Sequence, residues 1–129
     1  MTQLLPIQTP TSVAHDISRM ADGRNSLDPG FAVIACSAAG NNEIVAATVG
    51  KKIRVLCYNF MGNGAVNAKW TATSGDLTGL SYLDAAGKGK VVPFCPIGWF
   101  ETEEGEALNL NLSGAVAVGG ELVYVLVTP

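Results

Sequence analysis

Ala107-Leu108-Asn109-Leu110-Asn111-Leu112-Ser113 alternates apolar and polar residues without a break. A period of two places the three leucines on one side of an extended strand. Burying a leucine supplies roughly 1.5–3 kcal/mol, so the leucine side belongs on a core while the asparagines face solvent or another chain. The run sits inside residues 99–127, the last part of a 129-residue chain. Beyond Gly119-Gly120, which reads as a turn, Glu121-Leu122-Val123-Tyr124-Val125-Leu126-Val127 is rich in β-branched and aromatic residues, as a strand inside a sandwich is.

Working outward from this run, Gly or Asn clusters separate short runs of β-formers at the spacing of a sandwich or barrel. Strands are expected at 31–37, 43–48, 52–61, 65–73, 77–83, 90–94, 98–102, 106–113 and 121–128. Gly40-Asn41-Asn42 and Gly62-Asn63-Gly64 offer the positive-φ residues of tight hairpins, so two hairpins are expected there. Over 52–61, strict alternation puts Ile53, Val55 and Cys57 on one side and Arg54, Leu56, Tyr58 and Phe60 on the other. Both sides are largely apolar, so this strand is central or one of its faces meets another chain. No internal repeat or low-complexity linker divides residues 31–129, which form one β-sandwich domain.

Residues 1–30 differ. They hold Pro6, Pro10, Pro29 and the single histidine, and no alternating strand. They read as an extended or partly helical N-terminal arm. Val13, Ile17 and Met20 recur at helical spacing, with Thr11 or Ser12 available as an N-cap. A helix this short is marginal in water. The arm is either a poorly ordered leader or a segment that orders against a neighbouring subunit, and in the second case Leu4, Leu5, Ile7, Val13, Ile17 and Met20 are the candidate partner-binding residues.

The chain is 48% hydrophobic and only 15% charged, with a net charge of −3. Average globular proteins are roughly 25% charged, so a partner is expected to cover part of this surface. No basic cluster exceeds Lys51-Lys52, which argues against nucleic acid. No apolar run approaches the ~20 residues of a membrane-spanning helix. The opening residues lack the basic and apolar regions of a secretory signal, so synthesis and retention in a cytoplasm are expected. Cys36, Cys57 and Cys95 are odd in number and far apart, and read as buried structural thiols.

No catalytic set emerges. His15 lies in the arm, away from the folded body. Ala85-Ala86-Gly87-Lys88-Gly89-Lys90 lacks the spacing of a phosphate-binding loop and reads as a flexible hairpin tip. Glu101, Glu103, Glu104 and Glu106 around Gly105 have the oxygen ligands of a calcium site, but a hydrated turn that deters edge pairing is the stronger reading, and no metal is assigned. Trp70, Trp99, Tyr58, Tyr82 and Tyr124 all fall in expected strands, which favours core or interface packing over a stacking platform for sugars or bases.

Five segments occur in a telling order. They are Gly50-Lys51-Lys52-Ile53-Arg54-Val55-Leu56, then Trp70-Thr71-Ala72-Thr73-Ser74-Gly75, then Val92-Pro93-Phe94 leading into Gly98-Trp99-Phe100-Glu101-Thr102, then residues 105–114 around the leucine run, and finally Val118-Gly119-Gly120 before a hydrophobic strand. Over residues 48–128 this order resembles small structural proteins of tailed bacteriophage virions. The resemblance implies an all-β fold, a jelly-roll-like antiparallel β-sandwich, with no catalytic residues and no cofactor. It further implies a capsid decoration or cement protein, made in the host cytoplasm and placed on the virion surface. Its partners would be the major capsid protein, whose shell it clamps, and itself, as a homodimer or homotrimer. A neck or tail-fibre module is the alternative within virions, and a carbohydrate-binding β-sandwich using Trp70 or Trp99 is the alternative outside them.

Overall fold

A computed structural model of the chain describes residues 28–129. The described residues form ten strands: β1 (Gly30–Cys36), β2 (Gly40–Val45), β3 (Lys52–Gly62), β4 (Val66–Ala72), β5 (Gly75–Asp76), β6 (Ser81–Leu83), β7 (Gly89–Val92), β8 (Phe100–Glu101), β9 (Leu108–Leu112) and β10 (Val118–Val127). They make two antiparallel sheets. The first runs β1-β10-β3-β7 with β8 also on β3, and the second runs β2-β9-β4-β5 with β6 also on β4. Because β7 and β8 share one side of β3, and β5 and β6 one side of β4, the ten strands fill eight positions. Their winding, first beside last and second beside next-to-last across two facing sheets, is that of a jelly roll.

The core lies between the sheets. Leu108, Leu110 and Leu112 of β9 point into it, as the alternation requires, and Asn109 and Asn111 point out. At its centre the Trp70 ring meets Tyr58 edge-on, with centroids 5.3 Å apart, and lies near Phe60 and Phe100. Aromatic contacts of this kind add about 0.5–1.5 kcal/mol each beyond area burial.

The jelly-roll winding corrects both expected hairpins. β1 and β2 belong to different sheets, as do β3 and β4, so the chain at Ser37-Ala38-Ala39 and at Asn63-Gly64 crosses between layers. Asn41 and Asn42 are ladder residues of β2. Residues 85–88 likewise carry the chain from β6 to β7 across the layers, and they are pinned by Gly87 N and Gly62 N donating to Gly62 O and Lys88 O. The tight hairpin lies elsewhere, between β4 and β5, where Ala72 pairs with Gly75 across Thr73-Ser74. Nor do Gly119 and Gly120 form a turn, because β10 runs straight through them. Both pair with β3 on one side and β1 on the other, where close strand approach leaves no room for a side chain at Gly120.

The expected two-faced pattern of 52–61 is broken by one residue. The β10–β3 register passes from Val123↔Cys57 to Tyr124↔Val55, leaving Leu56 as an extra, bulged residue. Alternation resets there. Ile53 and Val55 on one side of the bulge, and Tyr58 and Phe60 on the other, all enter the main core, while Leu56 joins Val125 and Val127 on the opposite face.

The expected strand at 77–83 is also interrupted. Leu77 N and Thr78 N both donate to Trp70 O, and the Thr78 hydroxyl accepts from Trp70 N, replacing a ladder pair by a side chain. Thr102 acts similarly at the end of β8. Its buried Oγ1 accepts from Ile53 N at 3.0 Å, and its own N donates to Ile53 O. Thr102→Val keeps the shape but strands the Ile53 amide, so urea denaturation should show about 1–3 kcal/mol lost.

Candidate functional site

The outer faces of the two sheets differ sharply in chemistry. On the second sheet, outward positions are Asn41 and Glu43 of β2, Asn109 and Asn111 of β9, and Lys69 and Thr71 of β4. Asn41 Oδ1 accepts from both Asn111 Nδ2 and Thr71 Oγ1 at 2.8 Å, and Lys69 pairs with Asp76. This side is wet and its polar groups are tied across strands.

The first sheet presents a different surface. Its register sets Phe31 beside Val123 and Cys57, Val33 beside Glu121, Asn59 and Val91, and Ala35 beside Gly119, Met61 and Gly89. Phe31, Val33, Met61 and Val91 are 57–81% exposed although large and apolar. Single exposed hydrophobics are ordinary, but several on one sheet face mark an interaction surface. Glu121 is the main charge among them, and Asn59 Nδ2 donates to it at 3.4 Å.

One end of this face is bordered by ions. Glu101 accepts from Arg54 Nε at 2.8 Å and from Lys52 Nζ at 3.4 Å. Burial alone would raise the Glu101 pKa, but hydrogen bonds and charge from Arg54 and Lys52 outweigh it and hold the carboxyl below its usual value of 4.5. A carboxyl that titrates lower when folded stabilises the folded chain above the ordinary value and loses that contribution as pH falls through the lowered one. Glu101→Gln should therefore lower Tm at pH 7 and flatten its decline below pH 4.5, so that variant and wild type converge in acid.

The six candidate partner-binding residues of the arm, Leu4, Leu5, Ile7, Val13, Ile17 and Met20, lie outside the described residues, as does His15. The aromatic set divides. Trp70 and Tyr58 are core residues and Tyr124 is half-buried, but Tyr82 is largely exposed on β6, and Trp99 lies half-exposed in a bend before β8. Trp99 Nε1 donates to Pro93 O, and its ring closes one wall of a cleft of about 300 Å³ that also holds Tyr58, Phe100, Leu77 and Lys90. The glutamates do not converge: Glu101 faces Arg54, while Glu106 accepts from Ser74. Among the described residues no group of three or more potential metal ligands forms. All three cysteines, expected to be buried, are partly exposed, and burial pushes the Cys36 thiol up.

The apolar face was not singled out by sequence reading. A signal existed: Phe31-Ala32-Val33-Ile34-Ala35-Cys36 has no polar residue at either parity, which an edge strand with one wet side does not need. Against family models, curated proteins and solved structures, the chain finds no match.

Proposed function

We propose that the chain is a structural binding module that seats the outer face of its first sheet on other proteins, and that it serves as a bacteriophage capsid decoration protein on the major capsid protein shell. The observation that carries the binding role is the one-sided exposure of Phe31, Val33, Met61 and Val91. The virion setting is supported by the segment order over residues 48–128 and is compatible with the jelly-roll winding. Such a face also suits self-association, since a two-fold axis brings one patch against its own copy. The action is mechanical: added contact area resists separation of the proteins it bridges.

Val33→Asp combined with Met61→Lys tests this reading, because both side chains are exposed and their replacement leaves the core untouched. Wild-type chain should sediment as a dimer or trimer and co-sediment with empty shells. The double variant should be monomeric and bind at least about tenfold more weakly, as loss of central apolar contacts does. Equal binding by both would overturn the proposal. Copy number per particle separates shell from neck or tail-fibre placement, many copies favouring the shell.

A carbohydrate-binding role keeps one specific support, the half-exposed Trp99 ring at the mouth of the 300 Å³ cleft. Trp70, 1% exposed, has no part in it. Glycan binding abolished by Trp99→Ala would favour this second reading.

A further inference from the structure

Among the described residues the two sheets have four open edges, and three of them carry features that discourage further pairing. β7 is four residues long, holds Lys90 and runs into Pro93. β2 holds Glu43 and a register break between Glu43 and Val45, and β5, β6 and β8 are fragments of two or three residues. β1 is the exception. Its seven residues, Gly30-Phe31-Ala32-Val33-Ile34-Ala35-Cys36, hold no charge and no proline, and they pair with β10 without a shift.

The hydrogen-bond pattern fixes which β1 residues face the open edge. Gly62 N donates to Lys88 O and Gly62 O accepts from Gly87 N, so Gly62 turns toward the β7 side of β3. By alternation Met61, Asn59 and Cys57 turn toward β10, and their partners Gly119, Glu121 and Val123 turn toward β3. The residues between, Val118, Gly120, Leu122 and Tyr124, therefore face β1 and engage Cys36, Ile34, Ala32 and Gly30. Phe31, Val33 and Ala35 are left with N–H and C=O directed away from the sheet, and no backbone group among the described residues bonds to them. Their side chains are exposed as well.

We propose that β1 pairs with β1 of a second copy of this chain, antiparallel about a two-fold axis at Val33. That register sets Val33 against Val33 and Phe31 against Ala35, so every outward N–H meets an outward C=O of the copy. A shift by one residue would set Val33 against Ala32 or Ile34, whose backbone groups are already spent on β10. A shift by two would leave one of the three outward residues without a partner. The register is self-complementary in size and charge as well: large Phe31 meets small Ala35, Gly30 meets Cys36, and no charges are opposed. Such an axis stands perpendicular to the sheet, so Phe31, Val33, Met61 and Val91 of both copies look the same way and make one continuous apolar surface. One dimer then offers two seats on one side, as a bridging module needs, but the pairing stands whatever that surface binds.

Ala35→Pro tests the pairing. The ring removes an outward N–H and stands in the path of the incoming strand, while the β10 ladder, which uses Ala32, Ile34 and Cys36, stays whole. Full-length wild type should sediment as a dimer and the variant as a monomer. Amide exchange followed by NMR reads fold and pairing separately. In the wild type Phe31 and Val33 should exchange about tenfold more slowly than in the variant, or slower still, while Ala32 and Ile34 stay protected in both. Diluting the wild type until it is monomeric should release Phe31 and Val33 in the same way without any substitution. A wild type that stays monomeric or forms a trimer, or a dimer that survives Ala35→Pro, would overturn the proposal. Protection of Phe31 and Val33 that persists in the diluted monomer would also overturn it, assigning the edge to a segment of the same chain. Met61→Lys, on the outer face but two strands from the axis, should keep the dimer and weaken shell binding. Failure of the shell-binding proposal and failure of this one therefore read out separately.

Discussion

Trp70→Ala is expected to lower the unfolding free energy by about 3–5 kcal/mol, the cost of emptying a large aromatic site in a packed core. Trp70 is 1% exposed and its ring meets Tyr58, Phe60 and Phe100, so residues of both sheets lose contacts together. The surrounding strands are held in register by β9 on one side and by β5 and β6 on the other, which limits collapse into the void. Trp70→Phe should be far milder. The indole Nε1 is buried with no hydrogen-bond partner among the described residues, and an unpaired buried donor costs about 1–3 kcal/mol. Phenylalanine removes that donor while keeping most of the ring. Urea denaturation of the two variants checks the difference; equal losses would show that the emptied volume does not set the cost.

Gly120→Ala is expected to cost about 3 kcal/mol or more, at the upper end of overpacking penalties. The new methyl would enter the Asn59 carbonyl on the neighbouring strand, and backbone cannot rotate aside as a side chain can. Relief would require β3 and β10 to separate where β10 also holds β1, so both ladders weaken. Gly114→Ala is the matched control, with nothing within 4 Å of the added atom. Its denaturation midpoint should move little, and a Gly120→Ala midpoint equally unmoved would refute the close approach.

Much of the fold was legible in the residues. The Leu108 to Leu112 alternation identified a half-wet strand because its period needs no knowledge of neighbours. The two Gly-Asn turns were legible as turns but not as crossovers, since local backbone preference is the same whether the next strand joins this sheet or the facing one. Trp99 was misplaced in a strand because β-propensity does not register that its segment leaves the ladder at Pro93 and returns at Phe100. The candidate face was the least visible. Phe31, Val33, Met61 and Val91 lie far apart in the chain, and only the sheet order β1-β10-β3-β7 makes them neighbours.

The extra residue at Leu56 works as a phase shift in the chain's two-residue rhythm. Straightening the bulge with Leu56 retained would put the two half-strands out of step: with Ile53 and Val55 kept inside, Cys57 and Asn59 would turn inward and Tyr58 and Phe60 would turn to water. The extra residue is therefore what lets side chains of opposite parity, Ile53 and Val55 before it and Tyr58 and Phe60 after it, face one interior.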